Sequence, residues 1–349
     1  MTAPNLFQQQ ESNRRHTTWL VALFILFFAW VGFGGDLALY LQTASAPPGA
    51  YHHVIPFIGI GATLVAGGIT WYSWTNGADR VLWATGAKEI VEPIGEDEQR
   101  LVNVVEEMAI ASGLPKPRIW LVPDADPNAF ATGIEPSSAN IAVTQGLLKS
   151  LNRDELQGVV AHEMAHIQNY DTRLMTLLAA MVGAIALMSD GMGRSVRGGI
   201  RIGGGSGRSS GGGSGGKDSN PVGLIVLVFW LITLIIAPIV SRLLSMAVSR
   251  KREYLADATG SQFTRNPAAL ASALQKLEAA GEPTRTITQG AAHLCIVDPA
   301  ARRISDRAGI VGDIFAAHPP IQQRIIRLTG MAYQQAKQMG SGVDPAQLS

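Results

Sequence analysis

The chain has 349 residues, a net charge of +1 and a mean hydropathy of +0.16, with charged residues at only 16%. That balance gives no electrostatic footing for nucleic acid as a partner, and the scarcity of charge points to membrane segments. The single cysteine, Cys295, excludes an intramolecular disulfide and a cysteine-based zinc cluster; between apolar neighbours it reads as a small core residue.

Residues 1–13 read as a disordered tail. The run from Thr17 to Gly35 carries no charge, follows Arg14 and Arg15, and is too long for the apolar part of a signal peptide. A second apolar, glycine-rich run from Val54 to Trp74 ends in Trp71, Tyr72 and Trp74, as an aromatic belt would. No Lys or Arg lies between the runs, whereas Arg14, Arg15, Arg80 and Lys88 flank them. Residues 14–74 are therefore expected to form a transmembrane hairpin with both ends on the cytoplasmic side.

Residues 75–173 read as a soluble α+β unit. Leu101, Val104, Val105, Met108 and Ala109 recur at helical spacing and are closed by Gly113 and Pro115. Arg118–Val122 and Asn140–Thr144 read as short strands on either side of the turn Pro123–Pro127 and the stretch Asn128–Gly133. Asn152 with Glu155 forms a capping-box pattern that opens a helix running through Leu156, Val159 and Val160 to His162.

Residues 174–240 read as a second hydrophobic hairpin, with runs at 174–189 and 222–240 around a glycine-rich linker, 191–216. Arg194, Arg197, Arg201, Arg208 and Lys217 lie in or beside that linker, against the positive-inside trend if the runs span. Spanning is expected from length and apolarity; packing of both runs at the cytoplasmic face is the other arrangement. Either keeps the flanking segments on one side. The near match to a phosphate-binding loop at Gly211–Lys217 is rejected, because Asp218 stands where Ser or Thr is needed. Residues 241–338 then complete the soluble unit, and 339–349 read as a disordered tail.

His162-Glu163-Met164-Ala165-His166 is an H-E-x-x-H match. On a helix the two histidines differ by about 40° in direction and about 6 Å in rise, so both imidazoles reach one metal ion. Glu163 lies about 100° away, able to touch a metal-bound water without displacing a ligand. A catalytic zinc site needs a third protein ligand. Glu253 and Asp257 share a helical face in Ser249–Asp257, where Glu253 can ligate and Asp257 can accept the free N–H of a ligand histidine. By spacing alone this pair also reads as a solvated acidic face on a basic juxtamembrane helix.

The chain resembles the HtpX-type membrane zinc metalloproteases, relatives of the prenyl-protein CAAX endopeptidase. The resemblance runs through the N-terminal hairpin, Pro127–Phe130, Asn140–Thr144, the helix from Asp154 to His166, Arg252–Asp257, Leu294–Ile296, His318–Pro320 and Arg324-Ile325. It departs from the family in the long Gly/Arg/Ser linker. It implies a mostly α membrane protein with an α+β zincin-like (gluzincin) cytoplasmic protease domain and two hydrophobic hairpins, the second inserted within that domain. It implies one zinc ion per chain on His162, His166 and Glu253, with Glu163 as general base and Asp257 behind the ligands. The activity implied is hydrolysis of polypeptides, membrane proteins above all, in protein quality control and the stress response. The location implied is a bacterial-type inner membrane, multi-pass, with the site facing the cytoplasm.

Asn128 and the strand Asn140–Thr144 are expected to line the cleft, with a peptide adding to an exposed strand edge. His318 and Arg324 are candidates for an oxyanion donor or for substrate positioning; a turn cap at His318 and an ion pair at Arg324 are the competing roles. Two other functions fit less well. An inactive zinc scaffold leaves Glu163 without a purpose, and a protease for lipidated C-termini generally has more membrane spans. A transporter is disfavoured, since the ionisable cluster lies outside the apolar runs.

Overall fold

A computed structural model describes residues 6–44, 47–181, 250–280, 294–297 and 319–338. The linker 191–216, most of the second hydrophobic hairpin, His318 and the tail 339–349 lie outside the described residues. The chain divides into two compact units: the first takes in residues up to Thr18, Tyr72–Ala180 and the segments beyond Arg242; the second contains Trp19–Trp71.

In the second unit, the part of α1 (Leu6–Thr43) beyond Thr18 packs against the part of α2 (Phe57–Ala84) before Tyr72. Small residues make the approach possible: a Cβ on Gly32 would lie 2.7 Å from Gly59 Cα and 2.9 Å from Ala62 Cβ. The buried carboxylate of Asp36 accepts from the N–H groups of Ile58 and Gly59 at the start of α2 and pairs with His53 at 2.6 Å. Trp19, Leu26, Trp30, Leu64 and Trp71 are exposed, far more apolar surface than a water-facing helix pair carries. Among the described residues, Gln10–Leu41 is the one stretch long and apolar enough to cross a membrane. α2, which takes up the return run expected at 54–74 from Phe57 onward, does not reach that combined length and apolarity.

The tail expected over residues 1–13 is helical from Leu6 onward. Its reason is tertiary: Gln10 and Asn13 hydrogen-bond to the chain around residues 168–171, in the first unit.

That unit is built on a four-stranded mixed sheet of β1 (Lys88–Glu89), β2 (Arg118–Val122), β3 (Ala129–Thr132) and β4 (Asn140–Thr144), in the order β1-β2-β4-β3. β2 and β4 are parallel, with Arg118 opposite Asn140 and Val122 opposite Thr144; the outer pairings are antiparallel. The strand Asn140–Thr144 is therefore interior, paired on both sides, and cannot be the exposed edge expected to take a peptide. β3 is the outer strand, and its far side carries residues 294–297 through the N–H of Ile296 on Ala129 O and a bridge between Phe130 and Cys295.

Helices cover the sheet. α3 (Gly95–Ser112) buries Leu101, Val104, Val105 and Met108, as its spacing predicts. α4 (Gln145–Ser150) is capped by Thr144, and α5 (Arg153–Gln168) by the reciprocal Asn152–Glu155 box expected from the sequence. Glu155 also accepts from Lys276 and Ser272 on α7 (Pro267–Ala279), tying the cap of α5 to a distant helix. A helical stretch at 171–181 follows α5, and α6 (Arg250–Thr264) and α8 (Ile321–Gln338) complete the unit. Leu156, Val159, Val160, Met164 and Ile167 of α5 are buried in one core with α3 and α7, so the H-E-x-x-H motif sits on a deeply enclosed helix.

Candidate metal centre

α6 crosses α5 at the motif because Gly260 has no side chain. A Cβ there would stand 2.9 Å from the backbone N of His162 and 3.1 Å from Ala161 C. This close crossing carries Glu253 to the two histidines. His162 Nε2 and His166 Nε2 are 3.1 Å apart, and the Glu253 carboxylate lies 3.5 Å from the first and 3.6 Å from the second. One donor atom from each residue falls within 4.8 Å of the others, a separation that one tetrahedral cation can bridge.

The far nitrogen of each ring is held by a carboxylate. His162 Nδ1 is 3.0 Å from Asp257 Oδ1, and His166 Nδ1 is 3.0 Å from Asp171 Oδ2. With Nδ1–H donating outward, both Nε2 lone pairs point at the shared space. Burial and the Arg324 charge oppose protonation of His162, but its hydrogen bonds to Asp257 and Glu253 outweigh them and push the ring up to about 9. A pocket that so favours a proton on an imidazole also favours a divalent cation in its place.

Glu163 is buried, and its Oε1 has no hydrogen-bond partner among the described residues. Burial pushes its carboxyl above the usual range, against the lowering influence of His162 and His166. An unsatisfied buried acceptor beside three converging ligand atoms fits a site that takes a metal and a water.

Arg324 is wholly buried, and its guanidinium faces inward. Nε and one terminal nitrogen form a fork on Asp257 at 2.9 and 2.7 Å; the other terminal nitrogen is 3.2 Å from Glu253 Oε2 and donates to Ile296 O at 3.1 Å. Of the two roles considered for Arg324, this is the geometry of the ion pair. Asn128 is likewise fully buried: its amide donates to Val297 O and its oxygen accepts from Ala129 N, fixing β3 to the 294–297 segment. Asp171 carries no spacing signal in the sequence: it lies past the end of α5, outside the i,i+4 spacing that links Glu253 with Asp257. The turn that returns it to His166 passes through Tyr170 at φ 59°, a conformation no residue type there announces.

The profile described as Peptidase family M48 matches residues 96–332. A "Protease HtpX homolog" of Caldanaerobacter subterraneus subsp. tengcongensis is 40% identical over 95% of this chain and 99% of its own length. Proteins of the same description from Dictyoglomus turgidum and Streptococcus gordonii are each 37% identical over 93% of the chain, covering 94% and 100% of theirs. The crystal structure of S. mikatae Ste24p aligns over 89% of this chain and 66% of its own, at 19% identity and a TM-score of 0.43.

Proposed function

The chain belongs to peptidase family M48 and is a metalloendopeptidase; from that premise we propose that His162, His166 and Glu253 hold one zinc ion and that Glu163 is its general base. The convergence of three ligand atoms within 4.8 Å, with both histidines backed by carboxylates, carries the assignment. When bound there, zinc supplies Lewis-acid activation of a water and polarisation of the scissile carbonyl.

The chain's own groups do the rest. Asp257 and Asp171 fix the two rings in the tautomer that presents Nε2, and Arg324 fixes Asp257 and Glu253 in turn. Glu163 takes the proton of the attacking water and returns it to the leaving nitrogen; its raised carboxyl pKa is the direction that a base working near neutrality requires. Burial of the motif helix keeps bulk water from competing for these groups.

The apolar helix Gln10–Leu41 supports a membrane-embedded enzyme. The exposed apolar faces of α1 and α2 support their reading as a hairpin, and the arginines before and after it support a site at the cytoplasmic face. We take the substrates to be membrane proteins or misfolded chains presented near the bilayer, in a quality-control role at a bacterial-type inner membrane.

The test is cleavage of an unfolded test protein by the purified full chain in detergent, beside Glu163→Gln and Glu253→Ala. Glu163→Gln is expected to keep one zinc per chain and lose roughly 10²–10⁴-fold in turnover. Glu253→Ala is expected to lose zinc. Full activity in Glu163→Gln would remove the proposed base, and zinc bound without cleavage by the wild type would leave a scaffold.

A further inference from the structure

The segment ahead of the apolar run does more than enter the membrane. Gln10, Asn13 and Arg14 share one face of α1, at i, i+3 and i+4, and all three engage residues 168–171, just past the H-E-x-x-H motif. Gln10 donates to Gln168 O at 2.9 Å, and the Arg14 guanidinium stacks 4.3 Å from the centroid of the Tyr170 ring. Asn13, only 2% exposed, donates twice: to Asn169 O at 2.8 Å and to Asp171 Oδ1 at 2.8 Å.

Asp171 is the carboxylate behind His166, so its two oxygens divide the work. Oδ2 lies 3.0 Å from His166 Nδ1, and Oδ1 receives Asn13. A carboxylate gripped at one oxygen alone swings about its Cβ–Cγ bond, whereas gripped at both it holds the imidazole in one plane. The other group facing Oδ1 is Arg252, whose Nε stands 3.8 Å away, beyond hydrogen-bonding distance. Among the described residues Asn13 is thus the short-range donor on that oxygen, and being neutral it adds no charge to compete with a metal. The backbone turn that delivers Asp171 passes through Tyr170 in the left-handed region, a costly conformation for a tyrosine. The Asn13 bond to Asn169 O and the Arg14 stack on Tyr170 hold that turn in place.

We propose that Asn13 is a positioning residue of the metal centre, acting through Asp171 to set the ring of His166. The proposal rests on the reading of His166 as a zinc ligand. Loss of a group behind a ligand histidine typically weakens metal binding by about 10–100-fold, and Asn13, one step further out, falls at the low end, roughly 10-fold.

The experiment measures zinc affinity of the full chain in detergent by chelator competition. It compares wild type, Asn13→Leu (the same heavy-atom branching but without donors), Asp171→Ala, the double variant and His166→Ala. Asn13→Leu is expected to bind zinc about 10-fold more weakly, and the same change is expected to do nothing further once Asp171 is alanine. Wild-type affinity in Asn13→Leu, or an undiminished loss in the Asp171→Ala background, would overturn the role. Tight zinc binding by His166→Ala would instead remove the ligand reading beneath it. Should Asn13→Leu fail to fold, Asn13→Gln, with its amide displaced by one methylene, is expected to fall between wild type and Asp171→Ala; wild-type affinity there would equally refute the proposal.

Discussion

Arg324→Leu removes a cation that three acceptors share in the dry interior. Arg324 is wholly unexposed, as are almost all of Asp257 and Glu253. The substitution forfeits the fork on Asp257, the contact with Glu253 and the bond to Ile296 O. Leucine fills much of the volume, so the cost is mainly electrostatic. Asp257 keeps its bond from His162, but its other oxygen is left buried without a donor. Breaking a buried pair on one side costs about 3–5 kcal/mol. At roughly 2–4 °C per kcal/mol for a domain of 150–250 residues, thermal unfolding should fall by about 6–20 °C. Arg324→Lys should recover little of this, since an ammonium cannot reproduce the planar fork. The assay is thermal unfolding of the metal-free and zinc-loaded chain in detergent. Zinc, as a second cation facing Glu253, should restore part of the loss. A metal-free Arg324→Leu chain melting within about 2 °C of wild type, under 1 kcal/mol by that conversion, would refute the reasoning.

Gly260→Ala should weaken zinc binding as well as stability, the latter by about 1–3 kcal/mol, because its Cβ meets the backbone of His162 and nothing flexible. Unchanged affinity in a chelator titration would show that the α5–α6 crossing tolerates separation. Glu155 yields a pH dependence. Burial by itself would raise its carboxyl, but the hydrogen bonds from Lys276, the Asn152 N–H and Ser272 prevail and hold it below the usual glutamate range. Its contribution is therefore complete above the unfolded value and lost as pH falls through the lower folded one. Glu155→Gln should flatten the acid limb of melting temperature against pH below about 5; an acid limb identical to wild type would refute the assignment.

The legible part of this site is the part that chain-local geometry dictates. His162 and His166 share a helix, as do Glu253 and Asp257, so their relative directions follow from 3.6 residues per turn before any fold is known. The same holds for the Asn152–Glu155 cap. Which strand is interior was not legible, because Asn140–Thr144 and Arg118–Val122 have the same character as sequences. Only the return of Ala129–Thr132 along the far side of β4 closes its second edge.

The remaining residues are set by contacts that no window on the sequence contains. Asp171 lies five residues beyond His166, yet it returns only through a left-handed tyrosine that tertiary contacts sustain. Asn13 is more than 150 residues from its partners in a segment whose composition reads as a tail, and Arg324 is 67 residues from Asp257. Composition misleads at both ends for one reason: a polar side chain in a polar segment looks solvated until another element brings it an acceptor. The residues that converge, with Asp257 behind them, were therefore readable, whereas Asp171, Asn13 and the acidic partners of Arg324 were not. It is the second set, Asp171, Asn13 and Arg324, that turns three nearby side chains into a site of one geometry, since a histidine with an unheld far nitrogen can rotate away from the metal it is meant to bind.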